Sequence, residues 1–128
     1  MGSIRKYKIA SGAIDSSGDA VAYSQTIRGR ILSIGVDYDT NTCTVDLDSQ
    51  GEVTDQKIMD LAAANTDATY YPRVALEDNT GSALDLSDTE GGNVAMYDYF
   101  NVYGRIKLTI ASGTENEEVS VSIVVEED

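Results

Sequence analysis

The chain of 128 residues has no histidine and no tryptophan, and it has one cysteine, one proline and one phenylalanine. Without histidine it cannot form a Ser–His–Asp or Cys–His catalytic group or an imidazole metal site. The single Cys43 excludes an internal disulfide framework and a cysteine zinc cluster, and we expect it to be a small buried apolar residue. These absences argue against most hydrolases and against a resident cofactor, so we expect neither enzymatic activity nor a cofactor.

Basic residues are also scarce, since 9 Lys and Arg stand against 22 Asp and Glu, a formal net charge of −13. A field of that sign repels nucleic acid and anionic membranes, so we expect neither as a partner. No run of 18 apolar residues predicts a membrane span, and the N-terminus lacks the apolar segment of a signal peptide. We therefore expect synthesis in the cytoplasm of the producing cell.

The few bases are unevenly placed, because five of the nine lie in the first 30 residues, namely Arg5, Lys6, Lys8, Arg28 and Arg30. The C-terminus carries the opposite charge. Complementary charge steers association with a partner. We therefore interpret Arg5, Lys6 and Lys8 as a basic docking edge for an acidic partner, the alternative being ordinary solvated charge.

Apolar residues alternate with polar ones along several stretches, which is typical of strands with one face in a core. The clearest are 32–38, 43–48, 105–110 and 119–126. A slip in this alternation predicts a bulge near Arg30 and Ile31. Turn residues at 39–42 and 112–116 predict hairpins. The segment 54–65 fits a short helix or a strand equally well. The pattern predicts one all-β domain over residues 1–128, an antiparallel β-sandwich of jelly-roll-like order.

Two other chemistries have partial sequence support. Residues 46–51 begin like a calcium-binding EF-hand loop, but the twelfth position is Lys57 instead of the required glutamate. Asp37, Asp39 and Asn41 are alternately spaced but fit the polar face and turn of a strand pair. A glycosidase of the common kind uses a pair of carboxylates, but no feature of this sequence distinguishes two of its many acids as such a pair. Solvated charge is the better interpretation of both candidate calcium sites.

The stretch TYYPRVALEDNTG, residues 69–81, has the most distinctive order in the chain. Pro72 cannot donate to a sheet, so the stretch should be a strand entered at its edge. Tyr70 and Tyr71 should then point to opposite faces, and Gly81 should take a positive φ in a turn. Tyrosine and arginine are enriched at protein interfaces, so Tyr70, Tyr71 and Arg73 are candidate partner-binding residues.

The order of four segments resembles small β-rich proteins encoded among the capsid and neck genes of tailed bacteriophages. An RG.I strand (27–39) precedes the YYPR and DNTG block (60–84), an aromatic strand with a G.I hairpin (97–114) and a final strand (119–127). The YYPR and DNTG block is the most specific part, and the first 26 residues lie outside the match. The resemblance implies a virion component that is not an enzyme.

This resemblance favours a decoration or cement protein on the capsid exterior, bound to the major capsid protein and assembled as a homotrimer. A neck or tail adaptor is the alternative within the same class. A receptor- or carbohydrate-binding module displayed on the particle is the alternative from another class. Its sugar cleft would have to come from the tyrosines at 97–100 or at 70–71.

Overall fold

A computed structural model describes residues 2–51, 53–87 and 93–127, and over these residues the protein is all β. The first seven strands are β1 (Ser3–Ala10), β2 (Ala20–Tyr23), β3 (Ile27–Asp37), β4 (Cys43–Ser49), β5 (Gln56–Ala64), β6 (Ala68–Tyr70) and β7 (Arg73–Ala75). The remaining six are β8 (Asp85–Ser87), β9 (Asn93–Ala95), β10 (Tyr97–Tyr99), β11 (Asn101–Gly104), β12 (Ile106–Ala111) and β13 (Ser120–Glu127). The predicted all-β class is confirmed.

The strands form two main antiparallel sheets that pack as an open sandwich. Four strands of the five-stranded sheet have the order β1-β13-β3-β11. The fifth, β6, pairs with the C-terminal part of β3, next to residues 34–36. The four-stranded sheet has the order β2-β12-β4-β5. Two short pairs, β7 with β10 and β8 with β9, form an arm between residues 73 and 99. The jelly-roll-like strand order stays a prediction.

The core lies between the two sheets and is built from the alternating apolar residues. On β13 the inward residues Val121, Ile123 and Val125 are buried, while the alternating Ser122 and Val124 are half-exposed. β12 repeats the pattern with Ile106, Leu108 and Ile110. Such burial of branched side chains contributes roughly 1.5–3 kcal/mol for each. Cys43 is fully buried, as expected, and burial raises the pKa of its thiol.

The two predicted hairpins are wrong, because both turns connect the two sheets. Residues 39–42 lead from β3 in the five-stranded sheet to β4 in the other, and 112–116 lead from β12 to β13. The buried amide of Asn41 ties these crossings together, since the Thr114 N–H donates to Asn41 Oδ1 at 2.8 Å. The turn residues are therefore used as corners of a sandwich.

The segment 54–65, whose sequence fitted a helix and a strand equally well, contains a strand, β5. This strand forms one edge of the four-stranded sheet. Register shifts interrupt its pairing with β4 at two places. Near one of them the adjacent residues Ile58 and Met59 are both buried. A bulged strand breaks the two-residue period, which is why the sequence also fitted a helix.

The predicted bulge lies one residue beyond Ile31. Val124 pairs with Ser33 while the next residue, Val125, pairs with Ile31, so Leu32 is the extra residue of β3. The alternation over residues 32–38 predicted that Leu32 lies in the same buried row as Ile34. Because of the bulge it does not, and Leu32 is only half-buried. An extra residue of this kind generally bends its strand and increases the local twist.

Gly29 on β3 is held where a side chain does not fit. Its φ is 155°, and a Cβ at this position would lie 2.2 Å from the carbonyl oxygen of Glu126. We expect Gly29→Ala to lower the free energy of unfolding by about 2–4 kcal/mol, from backbone strain and from steric overlap. Gly81→Ala is the matched control, because Gly81 has a φ of 86° and no atom of the described residues lies within 4 Å of its added Cβ. Urea denaturation should show a loss of only about 1 kcal/mol for the control; equal losses would contradict the steric account.

Candidate docking face

The outward side of the five-stranded sheet gathers basic residues from distant parts of the chain. On β1 the exposed Lys6 and Lys8 alternate with the buried Tyr7 and Ile9. On β3 the exposed Arg28 and Arg30 alternate in the same way with buried isoleucines. Arg73 joins them from the arm. We call these five bases, with Tyr99 and Tyr103, the basic face.

Arginines stack on tyrosines at one end of the basic face. The Arg28 guanidinium lies 4.7 Å from the ring centre of Tyr103. Tyr99 is contacted by two guanidinium groups, Arg73 at 4.1 Å and Arg30 at 4.9 Å. Such stacks hold a guanidinium in place while leaving its N–H groups to bond elsewhere, and each contributes about 0.5–1 kcal/mol when exposed.

The three arginines differ in the ion pairs and hydrogen bonds that they form within the chain. Arg30 is ion-paired with Glu126 at 2.5 Å. Arg73 donates to the carbonyls of Pro72 at 2.8 Å and Leu32 at 3.4 Å. Arg28 forms no ion pair with any carboxylate of the described residues. Arg28 is thus the guanidinium most available to an outside carboxylate.

Two hollows lie on the basic face. One, of about 760 Å³, is lined by Arg28, Gly29, Asn101, Tyr103 and Glu126, among others. Tyr103 is 73% exposed there. The second, of about 460 Å³, is lined by Lys8 and small residues such as Gly35 and Ser122, and also by the acidic Asp37 and Asp67. The combination of free charge, aromatic surface and concave shape is typical of a recognition surface.

The four bases among the predicted partner-binding residues fall into two groups. Lys6, Lys8 and Arg73 lie on the basic face. Arg5 points to the other side of β1, where its guanidinium lies 3.7 Å from Oε2 of Glu127; the other oxygen of that carboxylate, Oε1, accepts from the Tyr7 hydroxyl. The N-terminal bases therefore do not form one cluster.

The two adjacent tyrosines divide as their alternation predicts. Tyr70 is half-buried against the core, and Tyr71 is 66% exposed. Pro72 stands between β6 and β7, so the predicted single strand is two strands that belong to different sheets. Gly81 has the predicted positive φ, 86°. It lies in a turn held by Asp78, whose carboxylate accepts from Thr80, which lowers the pKa of Asp78.

Sequence reasoning missed Tyr99 and Tyr103 as parts of this surface. The available signal was the alternation in Arg28-Gly29-Arg30 and the spacing of the tyrosines around residue 100. Neither pattern reveals that the two strands are paired, with Tyr103 opposite Arg28.

The outward side of the other sheet has a different character. Lys57 contacts Asp48 at 3.2 Å and Asp46 at 4.0 Å, and Asp60 stands directly opposite Asp46. Burial, followed by the hydrogen bond with Asp60, raises the pKa of Asp46. Asp46 and Asp48 lie within β4 instead of a loop, and the described residues hold no group of three or more metal-binding side chains.

This acidic pair predicts a pH-dependent stability. A carboxyl group with a raised folded pKa stabilises the fold while protonated, and that contribution is lost as the pH rises through the folded pKa. Asp60→Asn removes a like charge opposite Asp46 and keeps Lys57 with both of its partners. We expect the free energy of unfolding to rise by roughly 0.2–1 kcal/mol near pH 7 and less near pH 4. Urea titrations at both pH values test this; an equal gain at both would show that charge repulsion is not its cause.

Comparison of the chain with protein-family models, with curated proteins and with solved structures found no match. Over the described ranges, no helix has the length and apolar character needed to cross a membrane.

Proposed function

We propose that the chain is a structural, non-catalytic component of a tailed-phage virion. Its favoured role is that of a decoration protein on the capsid exterior, which stabilises the shell through contacts with the major capsid protein. Assembly as a homotrimer is part of the same proposal. The order of segments that resembles the phage proteins supports the assignment to a virion.

One observation supports the docking role above all, the concentration of bases on one sheet face. Five of the nine basic residues lie on the basic face, in a chain whose net charge is −13. Charges so distributed orient a protein as it approaches an acidic surface. With this face against a shell, the acidic remainder would stay in solvent.

A second candidate function, carbohydrate binding, is favoured by the hollow beside Tyr103. Its lining offers an exposed aromatic ring, the amide of Asn101, the carboxylate of Glu126 and the guanidinium of Arg28. Aromatic faces with a few polar groups are common in ligand sites. A neck adaptor would use the same basic face as a decoration protein but at far fewer places in the particle.

Counting copies in purified particles separates these functions. A decoration protein is expected at a copy number comparable to that of the capsid protein, by quantitative gel or mass spectrometry. A neck adaptor would be present in a few copies per particle. Absence of the chain from particles of the phage that encodes it would overturn the proposal. Presence in the particle together with saturable binding of a cell-surface glycan would favour the second candidate.

A further inference from the structure

Strand β1 forms an edge of the five-stranded sheet along its whole length. In the part of the chain that the structure describes, its only partner strand is β13, and the register with β13 runs from Ser3 to Ala10 without a shift. Eight residues in a strand span about 26 Å. A regular, unpaired edge of this length is a template for another strand.

The direction of the free backbone groups follows from the pairing. Ser11 stands opposite Val119 one step beyond the strand, and its N–H donates to the Val119 carbonyl at 2.8 Å. In an antiparallel pair, hydrogen-bonded and non-hydrogen-bonded residues alternate. Ile9, Tyr7 and Arg5 therefore bond to β13. The residues between them, Lys8 and Lys6, direct both N–H and C=O toward the free edge.

The other edges are less suited to accept a strand. β5 carries two register shifts, and bulges protect an edge from further pairing. β2 has only four residues. The far edge of β3 is taken by β11 and β6, both short. Among the described strands, β1 thus offers the longest uninterrupted free edge.

The charge on this edge selects its partner. Lys6 and Lys8 are exposed, and neither forms an ion pair within the described residues. A second copy of β1 would place lysines against lysines, and like charges on neighbouring strands are unfavourable. Carboxylates on a different chain would be attracted to the same positions.

We propose that β1 binds an extended acidic segment of a partner protein by strand addition. The partner's backbone bonds to the free groups of Lys6 and Lys8, and its acidic side chains lie beside both lysines on the basic face. Apolar residues at the alternate positions extend the row of Tyr7 and Ile9. This inference rests on the proposed function, in which the partner segment belongs to the shell protein.

Amide hydrogen exchange tests the inference on the isolated chain, with a capped heptapeptide of alternating glutamate and valine as the probe. We expect saturable binding that slows exchange at the amides of Lys6 and Lys8. The amides of Tyr7 and Ile9 already bond to β13, so their exchange should change little. A lysine–valine peptide of equal length is the control and should bind at least about tenfold more weakly.

Variants separate the backbone contribution from the charge. Lys8→Pro removes one free N–H at a position where an edge strand tolerates proline, and Lys8→Ala removes only the charge. Both should weaken binding, Lys8→Pro by at least about threefold more than Lys8→Ala. Binding without protection at Lys6 and Lys8, equal binding of the basic peptide, or no saturable binding would overturn strand addition. Each of these results leaves the particle copy number unaffected, so the proposed function is tested separately.

Discussion

Replacing Tyr38 by alanine is expected to lower the free energy of unfolding by about 3–5 kcal/mol, as other large-to-small aromatic changes in cores do. Tyr38 directly follows β3 and is fully buried, and its backbone N–H donates to Oδ1 of Asp67 at 2.9 Å. Urea denaturation of Tyr38→Ala measures the loss. A cost below about 1 kcal/mol would show that the end of the sandwich collapses around the cavity or is not packed as described.

Tyr38→Phe, unlike Tyr38→Ala, should not lower the free energy of unfolding. Within the described residues the buried Tyr38 hydroxyl has no hydrogen-bond partner at ordinary geometry, and burial together with the nearby Tyr70 raises its pKa from 10.0 to about 12. Removing an unpaired buried hydroxyl should leave the stability near pH 7 unchanged or raise it by up to about 1 kcal/mol.

The same phenol adds an alkaline dependence. Because its folded pKa is raised, its contribution to stability is complete below pH 10.0 and is lost as the pH rises toward about 12. Tyr38→Phe should therefore resist alkaline unfolding better than the parent chain. Parallel alkaline titrations of the two chains, followed by circular dichroism, would contradict this if they coincided.

Arg28→Ala is expected to weaken docking by about 2 kcal/mol, roughly a 30-fold loss of affinity, with little change in melting temperature. Arg28 is exposed, is stacked on Tyr103 and has no ion pair in the described part of the chain. Truncation therefore removes a group available to the partner and little of the fold. Titrating undecorated particles with each variant gives the affinity, and calorimetry gives the melting temperature.

Arg105→Ala is the matched control. Arg105 stacks on Tyr23 at 4.4 Å, much as Arg28 stacks on Tyr103, but Tyr23 and its strand belong to the four-stranded sheet. Its loss should leave docking unchanged. Equal weakening by both variants would mean that the two Arg–Tyr stacks contribute alike, and the basic face would not be the docking surface.

Alternation predicted most of the fold because it depends only on neighbouring residues. The strands around Val45, Leu108 and Ile123 follow a strict two-residue period, and each is where its pattern predicts it. The period fails in β5 because pairing irregularities bury Ile58 and Met59 side by side. Bulges are set by the partner strand, so this segment could not be decided locally.

Turn chemistry predicted where strands end but not which strand follows in space. The turns after Tyr38 and after Ala111 have the residues of hairpins, yet each leads into the opposite sheet. Pairing of β3 with β13, and of β4 with β12, joins residues that are far apart in the chain. Such long-range choices depend on the whole core and are not encoded in four residues of a turn.

The candidate site was predictable only in parts. Lys6, Lys8 and Arg73 were recognisable as bases in unusual settings. That Lys6 and Lys8 share a face with Arg28 depends on β13 standing between β1 and β3. That Arg5 lies on the other side depends on the strand's alternation. Sheet order, which the sequence did not reveal, turned separate bases into one surface.

The orientation of the chain on a particle tests the central claim most directly. A cryo-electron microscopy reconstruction of particles that carry the chain would show which sheet meets the shell. We expect the five-stranded sheet to face the shell, with Lys6, Lys8 and Arg28 against the capsid protein and the acidic pair of Asp46 and Asp60 in solvent. Density with the four-stranded sheet inward, or particles that contain no copy of the chain, would contradict it.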